Sequence, residues 1–223
     1  MNTPRSQLEA ALAGAHTLVD ALAEDAMNSR PRAGVWSVAQ NLDHLTITAR
    51  RMMKAMDAAV DELAVKRQRA TGDYRPNPLS RWFLWLLEPP VRRGKFKAPA
   101  EFHGQPNRPA HMVRSEFFTA HEELLHRLAG FEAWDQNARV VRSPFDARGK
   151  LRYSLGLSLR IVPAHMRRHL WQARQALKAI SRDCTASRST RPSSWYAPKR
   201  TSCCSAATRN QSTRRPACGP ITL

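Results

Sequence analysis

Two histidines stand four residues apart in the segment PAHMRRHLWQA (163–173), with two arginines between them. On an α-helix, positions i and i+4 lie on the same face, with Cβ atoms about 5–6 Å apart. Two imidazole nitrogens at ~2.0–2.1 Å could therefore hold one divalent ion between His165 and His169. The arginines leave a second interpretation open, a basic helix that binds nucleic acid. By itself, the pair does not decide between the two.

A third histidine lies some 120 residues earlier, in WSVAQNLDHL (36–45). Ser37 and Gln40 have the spacing of a capping box, so we expect a helix to begin there and to carry His44 seven residues from its start. The same face of this helix is polar, since it contains Gln40, Asn41, Thr48 and Arg51. A polar stripe beside an apolar one is what a site inside a helical bundle requires, and a solvent-exposed face is the alternative.

The segment HEELLH (121–126) resembles a zinc-protease H-E-x-x-H motif, but its second histidine comes one position late. Five residues correspond to about 500° of rotation on a helix, so the rings of His121 and His126 should diverge. We therefore exclude a protease site there. The remaining histidines, His16, His103 and His111, are interpreted as surface or partly buried residues.

The elements that must position these residues are long helices. Apolar residues recur at helical spacing through most of the chain, and Pro4 after Thr3 fits a first-turn proline behind an N-cap. No convincing strand pattern occurs, so the fold class is all-α, a four-helix bundle. The predicted helices are 3–28, Ser37 to about 68, the short segment 79–88, 110–129 and 154–182.

Several stretches resemble the DinB/YfiT-like family of metalloenzymes. GVWSVAQNLDHL (34–45) is similar to that family's W-S-x-x-[EQ]-x-x-x-H-L motif, and HMRRHLWQA (165–173) is similar to its H-x-x-R-H-x-x-Q motif. KFKAP (95–99) and the F-x-A-H-E-E-L-L helix (118–125) also have counterparts in the family. The resemblance covers about residues 3–182, and the two histidine motifs occur in the expected order.

This resemblance implies a four-helix bundle with a long crossover connection and a divalent metal ion, nickel or zinc, in its pocket. The implied ligands are His44, His165 and His169, which leave an open position for water or a substrate. The implied reaction is that of a hydrolase or of a thiol S-transferase that uses a low-molecular-weight thiol on a small-molecule substrate. Gln172 is a candidate to hydrogen-bond the ligands. Arg168 either faces an anionic substrate or is a plain surface residue.

Pro163 is the one departure from this pattern. It lies two residues before His165 and lacks the backbone N–H that a helix interior needs, so it should kink the last helix or restart it. A rotation of His165 away from the pocket would degrade the metal site. The fold itself does not depend on this residue.

The chain has 223 residues, a formal net charge of +18 and four cysteines. All the cysteines lie in the tail 183–223, which is rich in Ser, Arg and Pro and has no apolar periodicity. We therefore predict one domain over 1–182, with no role for cysteine, and a disordered basic tail. The tail could be a solvated extension, a basic arm that binds nucleic acid or an anionic membrane, or a reading-frame artefact.

Two further functions are compatible with parts of the sequence. The high charge suggests a nucleic-acid-associated stress-response protein, but no base-reading motif is present. A non-catalytic bundle that keeps only the fold is a further alternative. The aromatic segment LSRWFLWLLE (79–88) could be a lid, a homodimer contact or an interfacial anchor. No apolar run of about 18 residues occurs, so we expect no membrane span and a cytoplasmic protein.

Overall fold

A computed structural model describes residues 3–91, 98–146 and 148–189, with side chains described as far as residue 182. The elements, in chain order, are α1 (Pro4–Val19), α2 (Glu24–Asn28), α3 (Val38–Val65), α4 (Pro78–Leu87), a 3₁₀ turn (Ala100–Phe102), α5 (Ala110–Glu132), β1 (Val141–Arg142), β2 (Arg152–Tyr153) and α6 (Leu155–Ser189). The predicted all-α bundle is confirmed. The described residues belong to one compact unit, Met1–Arg191.

The four long helices α1, α3, α5 and α6 form the bundle. α3 packs against α5 and α6, and α1 packs against the same two helices, so α5 and α6 lie on opposite corners. Ion pairs of Arg50 with Glu116 and of Asp57 with Arg127 show that α3 and α5 run in the same direction. Parallel neighbours need a crossover, and residues 66–109 provide it, as expected.

The core fills the space between these helices with apolar side chains. Its largest fully buried members are Phe102, Phe117, Leu8, Met27, Leu42, Leu45, Met52, Met56, Leu63, Leu124, Leu128 and Leu155. Phe102 comes from the crossover and not from a bundle helix. The segment that precedes α5 is therefore held in place by the core.

The first predicted helix, 3–28, is wrong as a single element. It begins as predicted, because the hydroxyl of Thr3 accepts a hydrogen bond from the Ser6 N–H at 3.1 Å. It ends at Val19, and a second helix starts at Glu24. The Glu24 carboxylate accepts a hydrogen bond from the Ala110 N–H at 2.7 Å. This contact ties the start of α2 to the first turn of α5.

The expected kink or restart at Pro163 does not break the last helix. α6 is continuous from Leu155 to Ser189, with Pro163 in its interior. Pro163 and the neighbouring Ile161, Val162 and Ala164 are buried, so core packing on this stretch offsets the lost backbone hydrogen bond. The helix also extends beyond its predicted end at 182, and residues 190–223 of the predicted tail lie outside the described residues.

Two further features differ from the sequence pattern or refine it. The loop before α6 contains a short antiparallel hairpin, in which Val141 pairs with Tyr153. α4 docks on α6, where the backbone carbonyl of Leu86 accepts a hydrogen bond from Arg168 at 3.1 Å.

Within the described ranges, none of the helices combines the length and the apolar character that a membrane span requires.

Candidate metal centre

The start of α3 is built as its sequence predicts. The Gln40 N–H donates to the Ser37 hydroxyl at 3.1 Å, and the Ser37 N–H donates to the Gln40 side chain at 3.2 Å. This capping box satisfies two backbone donors that a helix would otherwise leave unpaired. It therefore defines the first turn of the helix on which His44 lies two turns later.

α6 brings the second and third histidines to the same place. His165 and His169 lie one turn apart, and α6 runs antiparallel to α3, so both rings face the beginning of α3. One donor nitrogen from each of the three histidines lies within 4.8 Å of the others. The Nε2 atoms of His44 and His165 are 3.4 Å apart. The structure thus joins the three residues that the sequence nominated as ligands.

The three rings are buried enough to be neutral. Burial is the main cause that lowers the pKa of His44, against a smaller opposite effect from its hydrogen bond to Phe102. Burial and then the neighbouring charges of His44 and Arg168 lower the pKa of His165 to about 3. The pKa of His169 falls well below its ordinary value, also mainly through burial. Neutral imidazole is the form that binds a metal ion.

His44 is oriented by the crossover segment. Its Nδ1 lies 2.6 Å from the backbone carbonyl oxygen of Phe102. A carbonyl oxygen can only accept, so Nδ1 must carry the proton and Nε2 must keep its lone pair. The hydrogen bond therefore selects the tautomer and turns Nε2 towards the other two histidines.

His169 is oriented by α3 in the same way. Its Nδ1 lies 2.9 Å from Oδ1 of Asn41. The amide of Asn41 in turn donates through Nδ2 to the Ser37 carbonyl at 2.8 Å, which leaves Oδ1 as the atom that faces the ring. Nδ1 of His169 is therefore the donor, and its Nε2 is free to act as a ligand.

The family model described as the DinB superfamily matches residues 7–173, which include all three histidines. The chain belongs to the DinB superfamily. Comparisons with curated proteins and with solved structures give no significant match.

In this DinB-superfamily chain, an ion-pair network holds the loop that orients His44. The Asp43 carboxylate accepts from the Gln105 N–H at 2.8 Å and from Arg108 at 2.6 Å. Arg108 also pairs with Glu116 of α5 at 2.6 Å. The loop is thus tied to two bundle helices, and the Phe102 carbonyl is held against His44.

Gly104 is required by the close approach of this loop to α3. A Cβ at this position would lie 2.0 Å from the carbonyl oxygen of Gln40, closer than any van der Waals contact permits. The Gln40 side chain also donates to the Gly104 carbonyl at 3.2 Å. Glycine therefore lets the backbone approach α3 closely enough for the Phe102 carbonyl to reach His44.

Aromatic rings border the cluster on the side of the crossover. The Trp36 ring centroid lies 5.0 Å from that of His44 and 5.9 Å from that of His169. His103 adds a further ring, with its centroid 5.7 Å from that of Trp36. Trp36 is half-buried, so it borders the site near the protein surface.

Sequence reasoning identified the three histidines but not most of the groups that position them. Asn41 was named only as part of a polar stripe, and nothing in the sequence indicated the Phe102 carbonyl. The predicted role of Gln172 finds no support, because within the described part of the chain its side chain has no hydrogen bond to the three histidines. Arg168 is buried, so the plain surface interpretation is wrong.

The divergence predicted for HEELLH is confirmed. His121 is fully buried, whereas His126 is exposed on the opposite side of α5. Neither of them belongs to the three-histidine group. Among the described residues, His121 and His126 therefore do not form a second metal-binding pair.

The donor set of the cluster suits a divalent metal ion. Two nitrogens that each lie ~2.1 Å from one tetrahedral zinc ion are about 3.4 Å apart, and the His44 and His165 Nε2 atoms have this separation. Nitrogen ligands of this kind suit zinc and nickel among other transition metals. The residues present therefore fit the metal that the superfamily implies.

Proposed function

We propose that His44, His165 and His169 hold one divalent metal ion and that the protein is a metal-dependent enzyme acting on a small molecule. The observation that carries the proposal is that the three imidazoles lie close enough together to bind one ion. Burial lowers the pKa of each ring, which favours the neutral form. On two of them, Nδ1 is engaged by another group, so Nε2 is left for a ligand bond. Histidines packed together without a metal ion would not need their Nδ1 atoms engaged in this way.

The three-histidine set favours catalysis over a structural role. Structural zinc sites use four protein ligands, whereas catalytic ones keep a position open for water or a substrate. When bound, such an ion lowers the pKa of a water or thiol ligand and makes it a better nucleophile. We accordingly propose either hydrolysis or transfer of a low-molecular-weight thiol, with zinc or nickel as the metal.

The protein's own residues have separate tasks in this proposal. Phe102 and Asn41 hold the protons on Nδ1 of His44 and His169, so each Nε2 stays unprotonated. Trp36 borders the site and limits the access of water. Arg168 adds a buried positive charge near His165 and His169, which helps to keep both rings neutral.

Metal analysis tests the proposal. The full chain, purified without a histidine tag or chelator, should contain one metal ion per chain, and His44→Ala and His169→Ala should lose it, because each removes one of three ligands. His126→Ala is the matched control, since it deletes an exposed histidine outside the cluster. Mass spectrometry of the metal and circular dichroism of each variant provide the readouts.

Equal metal content in all four folded proteins would reject the metal site. A metal-loaded wild type that is inactive in screens for thiol transfer and amide hydrolysis would instead favour a bundle without catalysis. The two outcomes separate metal binding from enzymatic activity.

The proposal also includes a cytoplasmic homodimer. Leu79 and Trp82 on α4 expose 71% and 54% of their surface, an apolar area that a second copy could cover. Sedimentation velocity at micromolar concentration distinguishes this dimer from a monomer.

A further inference from the structure

Besides Asn28 Oδ1 and Arg114 Nε, two buried polar side-chain atoms lack a hydrogen-bond partner among the described residues. They are Oγ1 of Thr48 on α3 and Nε2 of His121 on α5. Thr48 is 2% exposed and His121 is fully buried. Buried polar atoms are nearly always paired, and an ordered water molecule is the usual partner where the protein offers none.

The hydroxyl of Thr48 differs from that of its neighbour Thr46. Thr46 donates to the Leu42 carbonyl at 3.0 Å, the local bond that threonine commonly makes in a helix. Thr48 makes no such bond, although it is equally buried. Thr48 follows His44 by one turn on the same face of α3, so its hydroxyl lies next to the three-histidine cluster.

His121 presents an acceptor to the same region. Its Nδ1 donates to the Phe117 carbonyl at 2.7 Å, so Nε2 carries a lone pair. Because α3 and α5 are parallel, the pairs Arg50–Glu116 and Asp57–Arg127 place the backbone of His121 about one turn beyond Thr48. The bond from its ring to the Phe117 carbonyl, one turn earlier on α5, draws the ring back towards the level of Thr48. His121 is also near enough to His165 for its charge to lower the pKa of that ring.

We propose that Thr48 and His121 form an interior subsite for one hydroxyl-bearing group, which is water in the ligand-free protein. The water donates one hydrogen to Nε2 of His121 and exchanges a second hydrogen bond with the Thr48 hydroxyl. The subsite lies one turn along α3 beyond His44, away from Trp36. It goes beyond the proposed function and does not depend on a bound metal.

A crystal structure of the full-length wild type tests the subsite. We expect an ordered water within about 2.7–3.2 Å of both Thr48 Oγ1 and His121 Nε2. In Thr48→Val, which keeps the shape of the side chain and removes the hydroxyl, this water should be lost or displaced. Thr46→Val is the matched control and should retain the water, because its hydroxyl bonds within its own helix.

Absence of the water from the wild type would overturn the proposal, and the wild type decides this even if a variant fails to fold. An unmoved water in Thr48→Val would overturn the role of Thr48. Neither readout involves metal content or activity. A His44→Ala variant that keeps its metal would therefore reject the proposed function and leave the subsite standing.

Discussion

The two halves of α3 differ in the polar side chains that they bury. Beside apolar residues such as Leu42 and Leu45, the first half buries Gln40, Asn41, Asp43, His44, Thr46 and Thr48. The second half buries Met52, Met53, Met56, Ala59 and Leu63. Both halves belong to one helix with one cap, so the helical backbone alone does not explain the difference.

The difference lies in what each half packs against. The polar half meets the crossover loop and the middle of α6, which supply hydrogen-bond partners such as the Phe102 carbonyl and His169. Most buried polar groups need such partners to offset the loss of their contacts with water. The apolar half is stabilised by packing alone. We infer that the second half mainly provides stability and that the first half provides the site, at a cost in desolvation.

The largest expected effect comes from the apolar half. Met56 is fully buried, so Met56→Ala should lower the free energy of unfolding by about 2–5 kcal/mol through the cavity that it creates. Metal content of the folded variant should equal that of the wild type. Urea unfolding and metal analysis measure the two quantities. A folded Met56→Ala protein without metal would mean that the halves are not independent.

Acid should destabilise the protein through the polar interior. Burial lowers the pKa of His121 from its ordinary 6.5 to about 4. The unfolded chain therefore takes up a proton below pH 6.5, while the folded protein resists it until about pH 4. Stability should fall in this window, by about 2 kcal/mol at pH 5 from this residue.

The matched variant for this pH effect is His121→Gln, which cannot titrate. Urea unfolding at pH 7.5 and pH 5 should show a smaller loss of stability in the variant than in the wild type. Equal losses in the two proteins would show that His121 does not resist protonation in the folded state.

The smallest of the three effects concerns the orientation of one ligand. Asn41→Leu removes the acceptor for Nδ1 of His169, and metal affinity should fall by about tenfold, or about 1.4 kcal/mol. Gln172→Leu is the control and should leave the affinity unchanged. Competition with a chromophoric chelator measures both. Equal affinities for Asn41→Leu and the wild type would remove Asn41 from the site.

Features that depend only on short stretches of sequence were predicted correctly. The Thr3 cap, the capping box of Ser37 and the short helix α4 all depend on neighbours within four residues. The break after Val19 and the hairpin of Val141 with Tyr153 were missed. Both depend on partners far along the chain, such as Ala110 for Glu24, and local propensity carries no information about them.

By itself, the sequence determined that the chain forms long helices and that His165 and His169 share one face, because helical periodicity alone places residues i and i+4 together. The resemblance added His44 as their partner. Only the tertiary structure decided that Phe102 and Asn41 orient the rings, and that α6 remains whole at Pro163. The two orienting hydrogen bonds join residues that are 58 and 128 positions apart in the sequence, and the intact α6 depends on core packing. Such contacts exist only once the bundle has assembled.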